Sequence, residues 1–342
     1  MGVSLGSIWG AYKAHLIMAS YQLCLAIYMI MLQSVLSTGI SGLVLVVYEH
    51  AISTCILIPL AFFLEKGKRP PISFRILGYI FVLALLMISL CQMLLILSLQ
   101  YVSATYESIA LNVMPMIVFV LAVLFGLEEL HFGTVHGQAK MWGVMFSVAG
   151  ALTMVLWTGP TLFKSTLTTT KAYIIGGIML VVGILGGASW NLLVGQVTRK
   201  YPAEISLSAM MSFFGTIQTA VIAGFLVTGS SWKLKWDGGL VLITILWGGI
   251  LVTGLFYYAQ TWSVHKKGPV FTTAFQPLLI VFSFILEATV LKESTHLGSI
   301  IGAVLVVLGL YMLLWGKTKD QEKEGKGMLE TDGNINSPLI ID

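Results

Sequence analysis

Charge is what this sequence has least of. Only 10% of its 342 residues are Asp, Glu, Lys or Arg, while 57% are hydrophobic and the mean hydropathy is +0.91. A soluble domain typically carries about 25% charged residues. Charges this sparse, set between apolar runs of about 20 residues, mean a polytopic helical membrane protein. The net charge of +4 carries no nucleic-acid signal, because the basic residues fall in short loops. Cysteine is equally scarce. Cys24, Cys55 and Cys91 lie inside apolar runs with neither metal-like nor disulfide-like spacing, and read as small buried hydrophobes. The chain lacks a GxxxxGK[ST] phosphate loop, so ATP is not its energy source. Its six histidines (15, 50, 131, 136, 265, 296) are scattered, mostly near membrane boundaries, and form no catalytic or metal set. An enzyme is therefore disfavoured, and no cofactor or metal is expected. No span shows the continuous polar face that a channel needs. The first apolar run has no small-residue cleavage site and reads as a retained signal anchor.

What the sequence does have is ten apolar runs, at 14–34, 43–64, 76–98, 103–126, 139–158, 172–195, 204–228, 239–262, 269–291 and 297–315. This predicts an all-α integral membrane protein of ten transmembrane helices. An N-terminus in the cytosol gathers Lys13, Lys66, Lys68, Arg69, Arg75, Lys140, Arg199, Lys200, Lys266, Lys267, Lys317, Lys319, Lys323 and Lys326 on the inner side. That is fourteen of the nineteen basic residues. Lys164, Lys171, Lys233, Lys235 and Lys292 remain outside, and the asymmetry puts both termini in the cytosol.

The chain repeats itself faintly. Pro115 in the fourth run matches Pro277 in the ninth. Gly143 and Gly150 in the fifth match Gly302 and Gly309 in the tenth, followed by Trp157 and Trp315. Five helices per half is an odd number, so the second half enters the membrane inverted. The expected organisation is a first five-helix repeat over 1–158, a connecting loop over 159–171, a second repeat over 172–316 and a disordered cytosolic tail over 317–342. Inverted repeats place a substrate site at their interface and point to alternating access.

The ninth run holds the strongest site signal. Proline has no N–H, so Pro277 leaves the carbonyl of Thr273 without its helical partner, and Pro115 does the same for Leu111. In lipid such a carbonyl must face protein or a water-filled cavity. The competing reading is a kinked helix whose neighbours satisfy the carbonyl. Polar groups inside spans are the other candidates, because burying them is costly. Asn112 and Gln276 each lie within a turn of a proline, Gln260 sits before the basic turn Lys266-Lys267-Gly268-Pro269, and Tyr257 supplies an aromatic wall. The substrate-cavity candidates are therefore Gln260, Tyr257, Thr273, Gln276, Pro277, Asn112 and Pro115. Three carboxylates, Glu49, Glu107 and Glu287, fall in the outer third of the membrane. Glu107 and Glu49 are the coupling candidates, against the reading that each is a solvated residue near a helix end. His50 follows Glu49 but points about 100° away on a helix, so it is not an obvious acid–base partner.

At this point the residues carry a resemblance. The runs VLVVYEHAISTCILIPLAFFLEKGKRP, YVSATYESIALNVMPMIVFVLAVLFGLE, RKYPAEISLSAMMSFFGTIQ and KKGPVFTTAFQPLLIVF, with LGSIIGAVLVVLGLYMLLWGK, resemble a plant family. It is the Walls-Are-Thin-related proteins, also called the usually-multiple-acids-move-in-and-out transporters, of the drug/metabolite transporter superfamily with two EamA-type domains. The resemblance covers nearly the whole chain up to Lys317. It implies an inverted-repeat carrier that moves amino acids or, in some members, auxin, with a cavity lined by the first, third, fourth, sixth, eighth and ninth helices. It also implies a small-molecule substrate and the lipid bilayer as partners. A homo-oligomer is compatible, and the plasma membrane is preferred to the vacuolar membrane. The chain departs from the family pattern at Gln33 (usually lysine), at Tyr48-Glu49-His50 (usually tyrosine-arginine-histidine), at Leu90-Cys91-Gln92-Met93 and at Glu107.

Overall fold

The structure is a computed structural model. It describes residues 5–335, except 68, 99, 103, 129–132, 157–169, 233–238, 287–288 and 290–296. The expectations for Glu287 and Trp157 lie outside the described residues. Ten helical rods form: α1 Leu5–Leu36, α2 Gly42–Leu64, α3 Phe74–Ser98, α4 Ala104–Leu124 and α5 Val135–Leu156, then α6 Thr170–Lys200, α7 Glu204–Leu226, α8 Leu240–Lys267, α9 Pro269–Leu286 and α10 Leu297–Ile335. Eight are long and apolar enough to cross a membrane over their described residues, and α4 adds the shorter apolar stretch Leu111–Leu124. The chain is a ten-helix membrane protein of two inverted five-helix repeats. Large apolar side chains such as Phe63, Leu124, Phe125, Ile178 and Phe225 point outward, as they must where lipid is the solvent.

Contacts between the halves come in matched sets. If helices one to five correspond to six to ten, each cross-half contact should have a mate. The α3–α6 contact is mirrored by α8–α1, α4–α6 by α9–α1, and α2–α8 by α7–α3. Three helices meet their own counterparts, and a two-fold axis must pass through those meetings. They are α2 with α7, where the Ser53 and Ser212 hydroxyls lie 3.0 Å apart, α4 with α9, and α5 with α10. The third helix of each half also widens to π-helical geometry, at Leu85–Gln92 in α3 and at Gly248–Leu255 in α8. Such widenings recur at functional positions in helices.

Glycine explains the tightest pair. A Cβ on Gly309 would sit 2.6 Å from the Gly143 carbonyl oxygen, and one on Gly143 would sit 2.7 Å from the Gly309 carbonyl oxygen. The matched glycines thus let α5 and α10 approach backbone to backbone. Gly268 makes the other demanding turn. With φ +89 it reverses the chain between α8 and α9 in one residue, and Pro269 then opens α9 at a position where no N–H is needed.

Two expectations are corrected. The tail does not begin as coil at Lys317, because α10 continues as helix through Ile335; its Lys, Glu and Gln residues are good helix formers. Pro115 does not break its helix. α4 runs unbroken from Ala104 to Leu124, with Met114, Val118 and Phe119 of that segment packed in the core.

The end that carries both termini is fastened by charge. Glu128 bridges Lys140 at 3.1 Å and Lys317 at 2.5 Å, tying the loop after α4 to α5 and α10. Glu65, just past α2, accepts from the Ile205 and Ser206 N–H groups at 2.8 Å each and so caps α7. His265 of α8 meets Glu204 of α7 at 2.8 Å.

Candidate substrate site

The break in α9 is built by Pro277 and mended locally. The helix ends at Ala274 and restarts at Leu278. The Thr273 carbonyl, which the proline cannot serve, instead accepts the Gln276 N–H at 3.0 Å. Leu278 N–H and Leu279 N–H donate to Phe275 and Gln276 carbonyls, each at 3.0 Å. The tightened i→i+3 turn therefore takes up the carbonyl that the sequence leaves free, and that expectation is corrected. The Thr273 hydroxyl is also spent locally, donating to the Pro269 carbonyl at 3.0 Å. What the break does is turn Gln276 toward the other half. Its Nε2 donates to Met114 Sδ on α4 at 3.3 Å, and its Oε1 has no partner.

Met114 stands between the two prominent residues of α4, Asn112 and Pro115, which are both buried. A Cβ on Gly187 of α6 would lie 2.9 Å from the Met114 Cε, so α4, α6 and α9 converge there. Next to Gly187, the Asn191 amide donates back to the Gly187 carbonyl at 2.9 Å and leaves its Oδ1 unpartnered.

A second polar group forms on α1, α2 and α8. Glu49 is fully buried and accepts a 2.7 Å bond from the Tyr28 hydroxyl; its other oxygen, Oε2, has no partner. Depth brings these residues together. Tyr28 lies eight residues before the end of α1, Glu49 seven after the start of α2 and Gly248 eight after the start of α8, all about 10–12 Å from the same end. His50 and Tyr257 bridge the two groups. The His50 Nε2 and Gln92 Oε1 are 3.0 Å apart, joining α2 to α3. The Tyr257 ring stands edge-on to His50 at 5.7 Å and to Trp190 of α6 at 6.3 Å. Gln260, one turn further along α8, is buried with Oε1 unpartnered. Glu107 is half-buried in the first turn of α4, about 12 Å before Pro115 along the axis.

The structure thus unites Gln276 with the Asn112–Pro115 segment, and Tyr257 with the helix that carries Glu49. Sequence reasoning missed Tyr28 and Gly248, noted Gln92 only within a departure from the family pattern, and set His50 aside. His50 does point away from Glu49, but toward the interior aromatics. A polar side chain in mid-span was the available signal for Gln92 and His50. Nothing local signalled Tyr28.

Comparison with known proteins decides the family. The model of the EamA-like transporter family matches residues 12–156 and 174–315, one match per five-helix half. The chain belongs to that family. Within it, the transporter is 36% identical to the WAT1-related protein At1g43650 of Arabidopsis thaliana, over 96% of this chain and 98% of that protein. It is 34% identical to the WAT1-related protein At3g30340 of the same plant, over 91% of this chain and 88% of the relative. A solved crystal structure of a protein shares the fold, with TM-score 0.66 at 14% identity, over 88% of this chain and 97% of that one. This is a WAT1-related membrane transporter, embedded through multiple helices.

Proposed function

We propose that this transporter is a secondary carrier of amino acids that works by alternating access and runs in whichever direction the solute gradient sets. The observation that carries the reading is the broken helix α9. Its Gln276 faces α4 across the two-fold axis and keeps an unpartnered Oε1 in the interior. Gln260 and Asn191 add further unpartnered amide oxygens. Buried polar atoms left open in a membrane interior are costly unless a solute or water completes them. Alternating access then amounts to rocking one half against the other about the meetings of α2 with α7 and α4 with α9. Glu107, near the start of α4, is the candidate for coupling or for drawing solute into the bundle.

The lysine and arginine asymmetry supports cytosolic termini, and the plasma membrane is the proposed location. A second reading, an aromatic acid such as auxin, draws on the ring cluster of Tyr257, Trp190 and His50. The test is uptake and efflux of a labelled amino-acid panel plus auxin in a heterologous cell. Movement of amino acids in both directions, following their gradients, supports the first reading. Movement of auxin alone establishes the second.

A further inference from the structure

Among the described residues the interior of the bundle holds a carboxylate, Glu49, and no Lys or Arg to match it. The buried lysines are Lys140 and Lys317, and both are committed to Glu128 at the end that carries the termini. Glu49 is fully buried with one donor, Tyr28, on Oε1 and an unpartnered Oε2. Its seat is closely built. A Cβ on Gly248 would lie 2.6 Å from the Glu49 carboxyl carbon, so α8 presses bare backbone against the group. The Thr253 hydroxyl, in the same π-helical segment, donates to the Gly248 carbonyl at 3.1 Å and lies 3.3 Å from the Glu49 backbone carbonyl. Toward the depth of Glu49 the neighbouring helices carry Tyr21 and Tyr28 on α1, His50 on α2, Cys91 on α3 and Tyr257 on α8, whereas their Lys and Arg residues, Lys13, Arg75, Lys266 and Lys267, lie toward the end that carries the termini. A carboxylate removed from water is stable only with a charge partner or a full set of donors. Glu49 has neither, and its Oε2 is the one buried carboxylate oxygen among the described residues left without a partner.

We infer that Glu49 Oε2 receives the ammonium group of the transported solute, so that the carrier selects solutes bearing a protonated amine and rejects those whose only charge is negative. The inference rests on the carrier reading above and sharpens its substrate class. An ammonium brings donors to the open Oε2, and its positive charge completes the carboxylate. A zwitterion is accepted as well, since its own ammonium answers the charge of Glu49. A bare anion has only repulsion from Glu49.

Three solutes with one side chain separate the possibilities: leucine, its decarboxylated amine isoamylamine, and its deaminated acid isocaproate. Binding to the purified full chain in lipid nanodiscs is read as a rise in unfolding temperature, and transport in vesicles is measured beside it. Leucine and isoamylamine should stabilise the wild type and isocaproate should not. Glu49→Gln should weaken apparent affinity for both amines by about 10- to 100-fold, the loss expected for a charge-assisted bond. Glu49→Asp keeps the carboxylate and should keep the preference for amines, which guards against a Glu49→Gln variant that fails to fold. Isocaproate binding as well as isoamylamine, no response to isoamylamine, or amine affinity unchanged in Glu49→Gln would each overturn the inference. Amines that bind but do not cross would instead defeat the carrier reading and leave the ammonium seat standing.

Discussion

Removing Glu65 should loosen the end of the bundle that carries both termini. The residue before α7, Ala203, offers no capping side chain. Glu65 supplies the cap from the other half of the molecule, accepting from Ile205 N, Ser206 N and the Ser206 hydroxyl at 2.8, 2.8 and 2.6 Å. The helix dipole adds to those bonds, since the carboxylate sits at an N-terminus. At the opposite end, Ser41 before α2 makes no side-chain cap bond. An N-cap is worth about 1–2 kcal/mol, and bonds to a charged group about 1.5–3 kcal/mol. Taking roughly 2 kcal/mol for the whole latch, Glu65→Ala should shift the closed-to-open equilibrium at that end by about 30-fold. The assay is the labelling rate of Ala209→Cys, a buried α7 position near that end, by an impermeant maleimide. The native cysteines at 24, 55 and 91 would first be replaced. Labelling should quicken in Glu65→Ala and less so in Glu65→Gln, which keeps one carbonyl acceptor. An unchanged rate in Glu65→Ala would refute the latch.

Gly309→Ala should lower the unfolding temperature through about 1–3 kcal/mol of overpacking, because its Cβ meets the Gly143 carbonyl at 2.6 Å. Gly177→Ala, with nothing within 4 Å of the new Cβ, should leave stability unchanged or slightly raised. Equal effects would show that α5 and α10 are not packed backbone to backbone. Pro277→Ala restores an N–H to the Thr273 carbonyl and should straighten α9, lowering transport at normal membrane abundance; normal transport would make the proline a packing feature. Lys66→Cys, exposed just past α2, should label in intact cells only with permeant reagents, and labelling from outside would reverse the orientation.

Much of this architecture is legible in the chain. Apolar runs locate the ten helices, and the Gly143/Gly150 and Gly302/Gly309 pairs that mark the repeat prove to line the α5–α10 contact. The two prolines show where local reasoning stops. Both remove the same bond, yet only Pro277 interrupts its helix. At Pro277 the chain tightens to i→i+3 bonds, whereas α4 is held straight along buried Met114, Val118 and Phe119. Partner choice is equally hidden. Glu49 finds Tyr28 21 residues away and Gly248 on a helix of the other half, so only tertiary packing reveals the pair. The π-helical turns of α3 and α8 leave no periodic trace in sequences that are apolar on every side.

Counterflow in proteoliposomes tests the carrier reading most directly. Vesicles holding the purified chain are loaded with unlabelled amino acid and diluted into trace labelled amino acid, with no ATP and no ion gradient. An alternating-access carrier should draw label inward above its external concentration for a time, because each outward trip of unlabelled solute returns a site facing label. Simple equilibration of label with no overshoot, equal with and without internal solute, would contradict the account.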